Sequence, residues 1–85
     1  MKTIEYVIKD RLGIHARPAG LLVKKASEFS SDVTIYRGEK MANCKKIFAL
    51  MGLCVRYDEK IRIEIEGSDE AKAADEIKKF LEENL

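Results

Sequence analysis

Ile61-Arg62-Ile63-Glu64-Ile65-Glu66 alternates, without a break, one β-branched hydrocarbon and one charged side chain. Successive side chains of a strand point to opposite faces, so this stretch has one face of isoleucine and one of charge. The first must be covered and the second must stay wet. A sheet built on it is one-sided, with helices coating a single face. Gly67-Ser68 stops the strand. Working outward, the same period runs through residues 2–9, where Ile4, Tyr6 and Ile8 share a face opposite Glu5 and Lys9. It recurs where Val33 and Ile35 alternate with Thr34 and Tyr36. Arg37-Gly38-Glu39 reads as a tight turn into a short third strand near residues 40–44.

Between these strands the period becomes helical. From Ala16 to about Phe29, the residues Ala19, Leu22, Val23, Ala26 and Phe29 fall on one stripe, while Lys24, Lys25 and Glu28 look outward. A second helix is expected at about 46–53, with Ile47, Leu50, Met51 and Leu53 as its apolar positions and Gly52 near its end. A third opens at Ser68-Asp69-Glu70. Ser68 is the expected N-cap there, and the two acids suit the positive end of a helix. Ala71, Ala74, Ile77, Phe80 and Leu81 form its expected inner stripe. The predicted order is β-α-β-β-α-β-α, an α+β fold with a mostly antiparallel sheet. The 85 residues suffice for one small domain over 1–85, with no linker, repeat or low-complexity segment.

Hydrophobic residues make up 46 % of the chain and charged residues 36 %, and the formal net charge is +1. That balance, with no aromatic residues interleaved in a basic stripe, weighs against nucleic-acid binding. No apolar run approaches the ~20 residues of a membrane span. Residues 1–5 have no apolar core of a secretory signal, so the cytoplasm is the expected location. Cys44 and Cys54 lie too far apart for a Cys-x-x-Cys redox pair and are expected to be reduced and buried or half-buried. With one histidine, a zinc site would need carboxylates from elsewhere, and no metal or cofactor is expected.

The chemistry concentrates in Gly13-Ile14-His15-Ala16-Arg17-Pro18-Ala19, which sets the only histidine at the mouth of the first predicted helix. A helix start offers unpaired N–H groups and the positive end of the macrodipole, which together hold anions. Pro18 is tolerated in the first turn because it gives up an N–H that has no intrahelical partner. Imidazole is a competent nucleophile near neutral pH, and Arg17 adds a guanidinium that pairs directionally with phosphate. These features predict a histidine that carries a phosphoryl group, cradled by the amides of Ala16 and Arg17. The plainer alternatives are a surface histidine capping a helix and a solvated arginine, although a cation at a helix start is locally unfavourable.

This seven-residue stretch, its distance from the start, the element order and the length resemble the HPr family, the histidine-containing phosphocarriers of the bacterial phosphotransferase system. The resemblance spans essentially the whole chain. It implies an open-faced β-sandwich, in which a four-stranded antiparallel sheet carries three helices on one face. It implies that His15 accepts a phosphoryl group on its δ1 nitrogen from phosphoenolpyruvate-charged enzyme I. His15 then passes it to IIA domains of sugar permeases, with Arg17 holding the phosphate. Such a protein is a stoichiometric carrier rather than an enzyme, and a monomer is expected. The alternative is a regulatory paralogue whose phosphorylated His15 signals to a transcription factor or an enzyme.

The family's shared docking surface maps here onto Ala16, Gly20, Ile47, Phe48 and Met51, ringed by Lys24, Lys45 and Lys46. Ile47 and Met51 read equally well as core, and Phe48 is the best interface candidate. Many relatives carry a regulatory serine where Lys46 stands, so no phosphoserine switch is expected at that position. Leu12 stands where relatives have a small polar residue, and Gly20 where alanine is usual. Cys54 replaces a glycine suited to a left-handed helix end, a role that Gly52 is expected to take over.

Overall fold

The computed structural model describes residues 1–85. Its elements are β1 (Lys2–Val7), α1 (Ala16–Ala26), β2 (Asp32–Arg37), β3 (Lys40–Asn43), α2 (Ile47–Gly52), β4 (Lys60–Glu66) and α3 (Glu70–Asn84). The strands form one antiparallel sheet in the order β1-β4-β2-β3. The strand with the strictest alternation, β4, therefore lies inside the sheet between β1 and β2. Registration sets Ile4 opposite Ile63, Ile63 opposite Ile35, and Ile35 opposite Ala42, a continuous apolar row across all four strands. Ile61, Ile63 and Ile65 are buried, in one core with Ala19, Leu22 and Ala26 of α1, Leu50 of α2, and Ala73, Ile77 and Leu81 of α3. Each such side chain contributes about 1.5–3 kcal/mol by leaving water. The opposite face stays polar: the Arg62 guanidinium lies 4.4 Å from the Tyr36 ring centroid, and Lys60 pairs with Glu5 at 3.4 Å. No helix is long and apolar enough to cross a membrane.

Several local expectations need correction. The first strand stops at Val7, although Ile8 beyond it is buried. Helix α1 stops at Ala26, not Phe29, because the amides of Glu28 and Phe29 bond only three residues back, to Lys25 and Ala26. Phe29 nonetheless stays buried, packed from the turn. Helix α3 takes Asp69, not Ser68, as its N-cap residue. Ala73, one turn before Ile77, is buried, whereas Ala71, six residues before it, falls off that face and is exposed. Gly52 remains helical, and Cys54 itself adopts the left-handed backbone, with φ 54°. Both cysteines are free. Cys44 is fully buried, and burial pushes its thiol up to about 12. Cys54 is exposed, contrary to the expectation of a buried or half-buried side chain.

Candidate functional site

The site begins with a glycine. Gly13 has φ +69°, and a Cβ on it would lie 2.3 Å from the Val55 carbonyl oxygen. Only glycine permits both the backbone conformation and the close approach. That approach lets the Ile14 amide donate to the Val55 carbonyl at 3.0 Å, which fastens the segment before α1 to the chain following α2. His15 follows as the N-cap residue of α1, extended at φ −102° and ψ −177°. Its carbonyl accepts the first helical bond, from the Ala19 amide at 2.9 Å. Its imidazole does not cap the helix. The capping alternative for this residue is thereby removed.

Because α1 starts at Ala16, the amides of Ala16 and Arg17 belong to the turn without intrahelical acceptors, and Pro18 has none to offer. The first turn of α1 contains no acidic residue. Arg17 is exposed, and its guanidinium takes part in none of the molecule's ion pairs. The His15 side chain is 35 % exposed, with Nε2 at 3.6 Å from Asp10 Oδ2. These groups border an open hollow lined by Asp10, His15, Arg17, Pro18, Leu21, Glu83 and Asn84. Half-exposed imidazole, unpaired amides and an unneutralised guanidinium together suit a small anion held reversibly.

The residues expected on the docking surface come together only in part. Helices α1 and α2 pack side by side, and Ile47 Cδ1 lies 3.7 Å from where a Gly20 Cβ would stand. Ala16, Lys24 and Lys46 are exposed, while Ile47 and Met51 are half-buried against the core. Phe48 is 86 % exposed, and Leu21 and Leu12 are exposed as well, at 41 % and 72 %. Lys45 is not a free rim cation, because its Nζ donates to the Phe29 carbonyl at 2.8 Å. Sequence reasoning overlooked Asp10, Leu21, Glu83 and Asn84 as neighbours of the histidine. Asp10 is five residues away along a loop, and the α3 residues arrive only through tertiary packing.

The family model described as the PTS HPr component phosphorylation site matches residues 2–83. The chain belongs to the HPr family. It is 41 % identical over 83 residues to a phosphocarrier protein HPr of Lysinibacillus sphaericus, covering 98 % of this chain and 94 % of that one. With the HPr of Mycoplasma genitalium it shares 42 % over 85 residues, covering 99 % and 97 %. The solved structure of a histidine-containing phosphocarrier protein from Mycoplasma superposes with a TM-score of 0.94 at 36 % identity, covering 96 % of this chain and 93 % of that one. Membership of the HPr family makes this chain a phosphocarrier of the phosphotransferase system rather than a catalytic enzyme.

Proposed function

We propose that His15 is the residue that carries the phosphoryl group, taking it on Nδ1 from phosphoenolpyruvate-charged enzyme I and passing it to IIA domains of sugar permeases. The observation that supports this reading is the half-exposed imidazole at the start of α1, next to first-turn amides without intrahelical acceptors, with Arg17 lining the same hollow. In-line phosphoryl transfer asks chiefly for positioning and for positive charge around the three equatorial oxygens. The two amides and the guanidinium meet that need, and imidazole serves as both nucleophile and leaving group. An open hollow lets the group depart again. Ala16, Gly20, Ile47, Phe48 and Met51, with Lys24 and Lys46 at the rim, form the docking surface, extended by Leu12 and Leu21. Phe48 is its anchor, since an exposed aromatic ring within a basic rim suits an acidic, partly apolar groove. The carrier works as a monomer of one domain in the cytoplasm, where those partners act.

The test is direct. The parent protein, incubated with phosphoenolpyruvate and enzyme I, takes up acid-labile phosphate, and His15→Ala takes up none. Equal labelling of His15→Ala would end this assignment.

A further inference from the structure

Asp10 faces the imidazole from the loop that precedes α1. Its Oδ2 lies 3.6 Å from His15 Nε2, longer than a hydrogen bond but within ion-pair reach. The carboxylate is held for this purpose from the other side: Oδ1 accepts the Leu12 amide at 2.9 Å, which leaves Oδ2 for the ring. The main chain of Asp10 is fixed as well. Its amide donates to the Leu85 main-chain oxygen at 2.9 Å, and its carbonyl accepts the Gly13 amide at 2.9 Å. The main chain of His15 is fixed in turn by the N-cap position and the Ile14–Val55 bond described above. Arg17 and Glu83 are the other charged groups bordering the hollow.

A neutral imidazole has one protonated nitrogen and one bearing a lone pair, and the group facing one nitrogen decides which is which. A carboxylate accepts and never donates, so it favours the proton on the nitrogen it faces. We propose that Asp10 is a positioning residue that keeps the proton on His15 Nε2, so that Nδ1 bears the lone pair that attacks phosphorus. The inference rests on the phosphocarrier reading and names how its nucleophile is prepared. As the Nδ1 lone pair forms the new N–P bond, the donor's bond to phosphorus breaks and that electron pair returns to the donor. The proton stays on Nε2, the ring becomes cationic, and Asp10 is its counter-charge. When the group moves on, the N–P electron pair returns to Nδ1 and the neutral Nε2–H ring is restored. No proton has to enter or leave His15 at either step.

Asp10→Asn separates orientation from mere structure. Its single carbonyl oxygen retains the Leu12 amide, so its NH2 group is turned to Nε2 and favours the opposite tautomer. In long-range proton–nitrogen spectra of the unphosphorylated protein, the parent is expected as the Nε2–H form and Asp10→Asn as shifted toward Nδ1–H. Uptake of phosphate from enzyme I falls about tenfold or more in Asp10→Asn, and falls less in Asp10→Ala, which removes the carboxylate without presenting a donor. Identical tautomer populations in parent and Asp10→Asn, with the amide spectrum otherwise unchanged, overturn the role of Asp10. Unequal folding is checked with Asp10→Ala, whose tautomer must lie between the other two. A parent that takes up no phosphate from enzyme I overturns the carrier reading instead, because the tautomer is read without phosphorylation.

Discussion

Two helix starts in this molecule are built from the same element and finished in opposite ways. At α1 the N-cap imidazole makes no cap bond, the first turn has no acid, and a guanidinium adds to the positive field. At α3 the mouth is closed. Glu70 occupies the first turn and accepts the Gly67 amide at 3.2 Å. Asp69 turns its carboxylate to the amides of Ser30 and Ser31, at 2.9 and 3.0 Å, and to the Ser31 hydroxyl. There the acids neutralise the dipole and tie α3 to the turn after α1. A positive helix end is thus quenched where it serves architecture and left open where it faces the hollow beside His15. Fold alone does not mark an anion site. On the proposed reading, what sets α1 apart is a histidine and an arginine at a start that no acid in the turn neutralises.

The sharpest way to break the contrast is to close the open mouth. Arg17→Glu gives α1 the acidic first turn of α3, and phosphate uptake from enzyme I is expected to slow more than ~100-fold in single-turnover labelling. Arg17→Ala, which only removes the guanidinium, is expected to slow it about 10–100-fold with the thermal melt unchanged. An Arg17→Glu protein no slower than Arg17→Ala removes the electrostatic role of this position.

Next comes the closed mouth. The Ser31 hydroxyl, together with the Ser30 and Ser31 amides, holds the Asp69 carboxyl down to about 2 from an ordinary 3.8. A folded value below the unfolded one stabilises the protein above the unfolded value, and that contribution is lost as pH falls toward the folded value. Urea midpoints of the parent should therefore decline from about pH 5 to pH 2, and more shallowly in Asp69→Asn. Equal slopes would detach Asp69 from acid stability. The smallest expected effect concerns the far end of α2. Cys54→Gly removes the cost of a left-handed side chain and should raise stability by about 1 kcal/mol, seen as a higher urea midpoint with an unchanged slope.

The one-sided sheet was legible because Ile61, Ile63 and Ile65 leave no other solution, and the helices because their stripes repeat every three to four residues. The position of His15 and Arg17 at the start of α1 was legible for the same local reason, since a helix start defines its own unpaired donors. What escaped depends on contacts between distant parts of the chain. The start of α3 falls at Asp69 rather than Ser68, and Asp69 is placed by its bonds to Ser30 and Ser31. Lys45 looked like a rim charge until the Phe29 carbonyl claimed it. Arg37 grips Glu59 through two bonds, at 3.0 and 2.9 Å, and reaches the Leu53 carbonyl at 3.3 Å, a clamp with no local pattern behind it. That clamp spans the segment containing Cys54, whose backbone a helix-end rule assigned to Gly52.

The bond from Ile14 to Val55 joins the approach to α1 with the exit from α2. A visiting protein that touches both helices therefore meets a surface whose two halves already share one frame. Little disorder has to be lost on arrival, because it was lost when the chain folded. A brief, weak encounter can then be a productive one, as suits a messenger that must visit one protein after another and linger at none.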